Sequence, residues 1–312
     1  MPGINSVSPA VHAVQSSSPA PATYEVLWTV QKDTLPEALP TPDEIEAATN
    51  IIKQGRGRCV SRVGRRYVVK FGSQVDRIEG ENMHWVRENA REVPVPKVFA
   101  IYQREVTPHT KITYIIMEDV GGQPLDALWD SLDLEQRKDV VIQIRQAVTH
   151  LRATNNMGDF GAYDASELRD DIFWTDDPDT QYRGRFTNET AFTQAVIDKY
   201  MASCGNSDPH RAQYYRRVLP TVLQGTGRPF FTHNDLRREN IMVRDNGDIA
   251  IKGWATAGWF PTYWEYASAM HVCDFTDDWH EYLGKILNQE YPNQSKWISK
   301  LRTDLQSQRF AK

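Results

Sequence analysis

The sequence is poor in cysteine, lacks any long apolar run and carries no excess of positive charge. Its three cysteines, Cys59, Cys204 and Cys273, are widely spaced and odd in number, which fits neither a disulfide framework nor a CxxC metal site. No apolar stretch approaches the ~20 residues that span a bilayer. A net charge of −5 argues against nonspecific nucleic-acid binding, which requires a basic surface. These absences predict a cytoplasmic protein without membrane or nucleic-acid partners.

The N-terminal segment lacks the features of a leader peptide. Residues 1–22 contain no Lys or Arg, so they indicate neither a secretory nor a mitochondrial leader. They are rich in Ser, Pro and Ala and cannot bury enough apolar surface to order themselves, which predicts a disordered tail. Residues 23–49 are expected to pack as an N-terminal extension, in which Pro42, Asp43 and Glu44 open a helix.

What the chain does contain is enough apolar sequence for a large core, since 40% of its 312 residues are hydrophobic. Strand patterns dominate residues 50–118. The clearest runs are 67–71, 98–102 and 112–117, of which the last two are expected to pair as a hairpin. One helix interrupts these strands, with Glu79 and Met83 on its inner face. This part of the chain therefore predicts a small β-rich lobe.

Residues 119–312 are dominated by helical periodicity. The helical runs are 134–151, 192–201 and 214–223. A late β signal, 241–243 and 249–251 around an Asp-Asn-Gly turn, predicts a hairpin. A small β-rich lobe followed by a larger helical lobe is an α+β arrangement.

The segment 231–240, Phe-Thr-His-Asn-Asp-Leu-Arg-Arg-Glu-Asn, carries the most specific chemical signal. Asp235 is followed five residues later by Asn240, directly before the predicted hairpin. A carboxylate in this position can accept the proton of a substrate hydroxyl, and the carboxamide oxygen can hold Mg²⁺ against phosphates. Taken alone, the pattern also fits a loop whose Asp and Asn cap turns.

The same segment resembles the HGDLxxxN loop of the aminoglycoside phosphotransferase and choline kinase superfamily. Residues 254–266 resemble the run D-W-E-x-A-G-W-x-P-x-Y-W-E-Y of fungal members, and residues 93–98 and 184–189 resemble further stretches. The resemblance covers roughly residues 50–285. It implies a bilobal protein-kinase-like fold, a small-molecule substrate, and ATP and Mg²⁺ as cofactors.

The resemblance also implies roles for residues of the β-rich lobe. Lys70 matches the lysine that grips nucleotide phosphates, with Glu79 as its expected partner and Glu81 as the alternative. Gly55 and Gly57 lie where a phosphate-covering loop is expected, although two glycines also fit a plain hairpin turn.

Further roles fall on the connection between the lobes and on the helical lobe. Met117 and Asp119 lie at the connection, where backbone groups are implied to meet adenine. The acceptor pocket of the family is built by the helical lobe. Its candidate contacts are Asp164, Glu265 and Asp274, each of which also fits a surface or capping acid.

The chain departs from the family pattern at the metal site. The family has an Mg²⁺-chelating aspartate directly before the tryptophan of this run, and here that position is Gly253. Loss of one charge-stabilising group commonly costs about 10²–10³ in rate. Asn240 alone is a poor ligand, because Mg²⁺ prefers one or two carboxylates besides the phosphates. Neighbouring Lys252 is expected to replace part of the metal's charge, to bind an anionic ligand, or simply to face solvent.

Three functions remain open at this stage. The first is an ATP-dependent phosphotransferase with Asp235 as base, Asn240 as metal ligand and Lys70 as phosphate clamp. The second is a repurposed enzyme that uses Asp235 as general acid or base on a natural-product intermediate without ATP. The polar groups around Asp235 in that second interpretation are His233, Arg237 and Lys252. The third is a pseudokinase that binds a nucleotide or a partner without catalysis.

Overall fold

Strand-forming residues in the first half of the chain build one antiparallel sheet. The computed structural model describes residues 23–155, 158–175, 182, 184–273 and 275–310, so the tail predicted over 1–22 and the side chain of Asp274 lie outside the described residues. The sheet has the strand order β1-β5-β6-β4-β3-β2. Its strands are β1 Glu25–Thr29, β2 Ile51–Gly55, β3 Arg58–Val63, β4 Tyr67–Gly72, β5 Val98–Thr107 and β6 Thr110–Glu118.

The centre of this sheet is buried because its inner strands are apolar on both faces. In β6, Tyr114, Ile115 and Ile116 are fully buried. The strand lies between β4 and β5 and forms the predicted hairpin with β5. Burial of such a side chain stabilises the fold by about 1.5–3 kcal/mol.

The segment before β2 packs on the sheet and supplies its outer strand. β1 pairs antiparallel with β5, so that Glu25 lies opposite Gln103. The predicted short helix follows as α1 Pro42–Glu46. Its start is fixed by a capping box, in which the Thr41 hydroxyl accepts from the Glu44 N–H and the Thr41 N–H donates to the Glu44 carboxylate at 2.7 Å.

The helix α2 Ile78–Asn89 lies against the sheet with the face that its periodicity predicts. Met83 and Val86 on this face are fully buried, and Glu79 is 4% exposed. The helix stops before the two prolines at 94 and 96, which cannot continue it.

The second half of the chain is mainly helical, as the sequence predicts. Among the described residues, no helix combines the length and apolar character needed to cross a bilayer. The helices are α3 Leu125–Leu128, α4 Leu134–Arg152, α5 Glu189–Cys204, α6 Pro209–Val222, α7 Trp264–His271, α8 Trp279–Leu287 and α9 Pro292–Phe310.

Two small antiparallel sheets frame the loop that carries the candidate catalytic residues. The strands are β7 Gln123–Pro124, β8 Pro229–Thr232, β9 Ile241–Val243, β10 Ile249–Ile251 and β11 Gly258–Pro261. β8 pairs with β11, and β10, β9 and β7 form a three-stranded sheet, which contains the predicted β9–β10 hairpin. The loop 233–240 therefore begins and ends at paired strands. The whole is an α+β fold with an antiparallel N-terminal sheet and a helical C-terminal region.

Candidate active site

The loop 233–240 turns sharply at Asn234, whose backbone has a left-handed φ of 66°. Its side-chain amide donates to Asp170 Oδ2 (2.8 Å) and to the Thr256 carbonyl (3.2 Å). Its Oδ1 accepts from Trp264 Nε1 (3.1 Å) and from Ser268 Oγ (2.7 Å). Asn tolerates the left-handed region better than most residues. This buried network then holds the turn that orients the next residue, Asp235.

A buried ion pair lies beneath this turn. Arg302 of α9 donates to Asp170 Oδ2 at 2.7 Å, and the Ile172 N–H donates to Asp170 Oδ1 at 2.8 Å. Burial alone would raise the pKa of Asp170. Arg302 and the hydrogen bonds from Ile172 and Asn234 outweigh it and hold that pKa below its ordinary value. The carboxylate is therefore ionised and fixes the loop to the C-terminal helix.

Glu265, at the start of α7, supports the same loop from inside the helical lobe. The N–H of His233 donates to its Oε2 (2.6 Å), and the N–H of Asn234 donates to its Oε1 (3.0 Å). Burial raises the pKa of Glu265 to about 7, against the two backbone donors and Arg152, which lower it. Glu265 is 1% exposed and accepts two backbone N–H groups, so of its two predicted roles, acceptor contact or capping acid, the structure favours the capping acid.

His233 is likewise turned into the protein. It is 1% exposed. Its Nδ1 accepts from the Asp235 N–H (3.2 Å), so its Nε2 carries the proton and donates to the Lys252 carbonyl (3.0 Å). Burial lowers the pKa of this imidazole. One ring nitrogen thus stabilises the loop itself and the other connects it to the residue after β10, so the ring is not placed beside a substrate as the sequence suggests.

The Asp235 carboxylate remains partly accessible, with its side chain 30% exposed. Its Oδ1 pairs with Arg237 Nε at 2.6 Å, and its Oδ2 accepts from Asn240 Nδ2 at 2.8 Å. The same Asn240 amide donates to the Asp235 carbonyl (2.8 Å). Arg237 also pairs with Glu239 at 3.3 Å. The structure therefore brings Asp235, Arg237 and Asn240 together, as predicted.

The β-rich lobe contributes an ion pair to this site. Lys70 of β4 contacts the Glu79 carboxylate of α2 at 2.5 Å, whereas Glu81 pairs with Arg77. Glu79 is therefore the partner, as the helix face predicts. A second pair crosses between the lobes, since Lys53 of β2 contacts Glu239 at 3.2 Å.

A buried hydrogen bond ties α2 to the run that follows β10. The Asn82 amide donates to the Trp254 carbonyl at 2.8 Å. Because Asn82 lies one helical turn from Glu79, this bond fixes the distance between the ion pair of the β-rich lobe and the metal position at Gly253. Asn82 lies outside the predicted site residues, although its spacing of three from Glu79 places it on the same helix face.

The residues at the metal position do not fit Mg²⁺. Gly253 has a φ of +86°, and a Cβ added there would lie 2.7 Å from three side-chain atoms of Asn240. The Asn240 amide thus occupies the space where the family's aspartate would begin. Among the described residues, no group of three or more His, Cys, Asp or Glu side chains could hold a metal ion. At the position of the family's chelating aspartate, Gly253 supplies no carboxylate and the Asn240 amide fills the space.

Lys252 lies at the edge of this position and is half-buried. Its N–H donates to the Asn240 carbonyl at 2.9 Å, which fixes its backbone to the loop. Burial lowers the pKa of the Lys252 ammonium, and the nearby ammoniums of Lys53 and Lys70 lower it further, against Glu239 and Asp126. Lys252 is therefore not a fully exposed strand lysine, since its side chain is only partly accessible.

The two glycines of the predicted phosphate loop form a tight hairpin turn. Gly55 at the end of β2 lies opposite Arg58 at the start of β3. Gly57 adopts a left-handed φ of 67°, which glycine allows without strain. Its carbonyl accepts from the Gln74 N–H at 2.8 Å, so the turn is anchored to the segment after β4.

The connection between the lobes is held by its own hydrogen bonds. Met117 is buried within β6. The Asp119 N–H donates to the Arg66 carbonyl (3.0 Å), and its carboxylate pairs with Arg62 (2.7 Å). The Asp119 amide is thus not available to adenine, which differs from the expectation. Asp164 likewise caps its own turn, by accepting from the Ser166 N–H at 2.9 Å.

A β-rich lobe carrying a Lys–Glu pair above a helical lobe with an HxDxxxxN loop is the arrangement of a kinase-like phosphotransferase. The family model described as "Phosphotransferase enzyme family" matches residues 57–294, so the chain belongs to this family. No curated protein matches the chain.

Solved structures share the fold at low sequence identity. A thermostable mutant of aminoglycoside phosphotransferase APH(4)-Ia, in ternary complex with AMP-PNP and hygromycin B, matches with a TM-score of 0.55 and 18% identity over 85% of this chain and 86% of that one. The GDP and kanamycin complex of an APH(2″) enzyme matches at 0.52 and 12%, over 85% and 87%. A putative aminoglycoside phosphotransferase from Ralstonia eutropha JMP134 matches at 0.53 and 14%, over 83% and 80%.

Proposed function

We propose that this chain transfers a phosphoryl group from a nucleoside triphosphate to a hydroxyl or amino group of a small molecule. The observation that supports the proposal most directly is that the Lys70–Glu79 pair and a partly exposed Asp235 are both present, with the Asn82–Trp254 bond joining the helix of Glu79 to the run after β10. In this proposal, the sheet lobe (50–118, with β1) binds the nucleotide. The helical region (119–312) holds the acceptor.

Asp235 is the proposed base. Each of its carboxylate oxygens accepts one hydrogen bond, from Arg237 or from Asn240, and so keeps a further lone pair. As the acceptor's oxygen or nitrogen bonds to the γ-phosphorus, the bond to the leaving diphosphate breaks and the acceptor's proton passes to Asp235. His233 and Glu265 position the loop. Lys70 neutralises phosphate charge and is itself oriented by Glu79.

The acceptor is proposed to bind in a cavity lined by Arg237, the ion-pair partner of Asp235. A cavity of about 280 Å³ opens next to Arg237. Its charged lining residues are Asp126, Arg237, Arg238, Glu239 and Asp277, and its apolar wall includes Trp279. Carboxylates at the rim favour an acceptor that carries hydroxyl or amino groups, because these groups donate hydrogen bonds or carry positive charge.

The test is nucleotide consumption with a panel of hydroxylated and amino metabolites. We expect acceptor-dependent release of nucleoside diphosphate, together with a phosphorylated product seen by mass spectrometry. Asp235→Asn should lower the rate by about 10²–10⁴-fold, because it keeps the shape of the side chain and removes the base. Asp245→Asn, in the exposed β9–β10 turn, is the matched control. Absence of any acceptor-dependent turnover would refute the proposal.

A second candidate is acid–base chemistry on a small molecule without nucleotide. It is favoured by the Gly253 position, where the Asn240 amide fills the space of a metal-binding side chain while Asp235 is retained. The same panel distinguishes the two, since this chemistry would change the acceptor in nucleotide-free buffer and leave its mass without a phosphate. Asp235→Asn should abolish that change as well.

A further inference from the structure

We propose that Lys252, together with Lys70 and Lys53, forms a phosphate-binding site that holds a nucleoside triphosphate without a divalent metal ion. The identity of this ligand rests on the proposed function, whereas the anion site itself rests on the geometry below. Such a site would explain how a cleft that cannot form the family's magnesium site still receives phosphates.

The first observation is the set of ion pairs around the three lysines. Lys53 contacts Glu239 at 3.2 Å, and Lys70 contacts Glu79 at 2.5 Å. No carboxylate oxygen of the described residues lies within 4.0 Å of the Lys252 ammonium, although the side chain is half-buried. A partly desolvated cation without a close counter-ion is unfavourable, because burial removes hydration that no partner replaces.

The second observation is the convergence of these lysines from three separate strands. Lys53 lies on β2, Lys70 on β4, and Lys252 directly after β10. Lys53 pairs with Glu239 of the loop that Lys252 binds, and Lys70 pairs with Glu79, one helical turn from Asn82, whose amide donates to the Trp254 carbonyl two residues after Lys252. Glu239 and Glu79 each neutralise one of these lysines, so the ammonium left for a further anion is that of Lys252. A polyphosphate supplies several negative oxygens and can contact more than one ammonium of such a set.

The third observation is that Lys252 is held in place by both of its backbone groups. Its N–H donates to the Asn240 carbonyl (2.9 Å), and its carbonyl accepts from His233 Nε2 (3.0 Å). The direction of the side chain is therefore tied to the loop that carries Asp235. A phosphate bound by Lys252 would be placed near the proposed base, and a solvated surface lysine would not need this support.

The test measures binding of ATP and of inorganic tripolyphosphate by calorimetry in EDTA. Tripolyphosphate lacks the nucleoside, so it separates phosphate binding from base binding. We expect both ligands to bind to the wild-type protein without metal. Lys252→Met should weaken both by about 10- to 100-fold, the usual effect of losing one charge-assisted hydrogen bond. Lys252→Arg, which keeps the charge, should stay within about threefold, since its guanidinium still donates to phosphate. Lys138→Met, exposed on α4, is the control.

Added Mg²⁺ gives a second readout with a defined sign. Because Mg²⁺ neutralises phosphate charge that the lysines otherwise bind, we expect it to weaken ATP binding or leave it unchanged. An absolute requirement for Mg²⁺, no binding in EDTA, or equal affinity of wild type and Lys252→Met would each overturn the site. Phosphoryl transfer only in the presence of Mg²⁺ would refute this site and support the proposed function. Metal-free binding of ATP without any acceptor turnover would support this site and refute the proposed function.

Discussion

Restoring the family's aspartate by Gly253→Asp is expected to destabilise the protein without creating a magnesium site. At a φ of +86° the glycine occupies a backbone region that costs an L-residue about 1–2 kcal/mol. The new Cβ would also approach the Asn240 side chain to 2.7 Å. Asn240 would have to move, which breaks its charge-assisted hydrogen bond to Asp235 at about 1.5–3 kcal/mol. The expected loss of unfolding free energy is about 2.5–5 kcal/mol.

Urea denaturation of wild type, Gly253→Asp and Gly253→Ala measures this loss and divides it. The alanine variant has the same backbone conformation and the same Cβ contact, so it reports the steric part alone. The difference between the two variants reports the effect of the added carboxylate. Nucleotide binding to both variants is then compared with and without Mg²⁺.

Wild-type stability of Gly253→Asp would refute the predicted clash with Asn240. Tight, Mg²⁺-dependent ATP binding by this variant would refute the prediction that no magnesium site is created, since Asn240 would then have moved into a ligating position. A stable Gly253→Ala variant with an unstable Gly253→Asp variant would assign the cost to charge and contradict the steric argument.

Two further predictions concern the support of the loop. Arg302→Met leaves the buried Asp170 carboxylate without its cation. It should lower the free energy of unfolding, measured by urea denaturation, by about 3–5 kcal/mol. Because the pKa of Asp170 is lower in the folded protein, the ion pair stabilises the fold fully above the unfolded-state pKa of Asp170. This stabilisation is lost as the pH falls through the folded-state pKa. An Arg302→Met variant as stable as wild type would contradict this prediction. Glu265 has a pKa raised from 4.5 to about 7, so its contribution is full below pH 4.5 and declines by about 3 kcal/mol by pH 7. Glu265→Gln should lack this slope, and equal slopes would refute the assignment.

Much of the fold could be predicted from the sequence because the relevant signals are local. The periodicity of α2 placed Glu79 inward, and this alone chose it over Glu81 as the partner of Lys70. The β9–β10 hairpin follows from its Asp-Asn-Gly turn. The outer strand β1 was expected only as part of an extension, because its pairing with β5 joins residues that are about 75 positions apart and no local pattern encodes that.

The interior of the site could not be predicted, since its bonds connect distant positions. Arg302 and Asp170 are 132 residues apart, and Asn82 and Trp254 are 172 apart. His233 was a candidate for chemistry because it lies beside Asp235 in the motif, and Glu265 was a candidate acceptor contact, or a capping acid, because the resemblance places the acceptor pocket in the helical lobe. In the structure both are fully buried and bind backbone groups instead. A motif thus indicates which residues gather, and burial decides which of them can touch a substrate.

The change at the metal position preserves the charge that the protein presents to phosphates. An aspartate with bound Mg²⁺ presents one net positive charge, and Gly253 with an unpaired Lys252 presents the same. Binding of a polyphosphate can therefore survive, because it depends on net charge and on donors. Phosphoryl transfer depends also on a cation that stabilises both the attacking and the leaving oxygen as their charge changes. The single ammonium of Lys252 cannot contact both oxygens. As a transferase, the chain should therefore turn over about 10²–10³ times more slowly than a family member with the metal-binding aspartate, at a similar affinity for nucleotide.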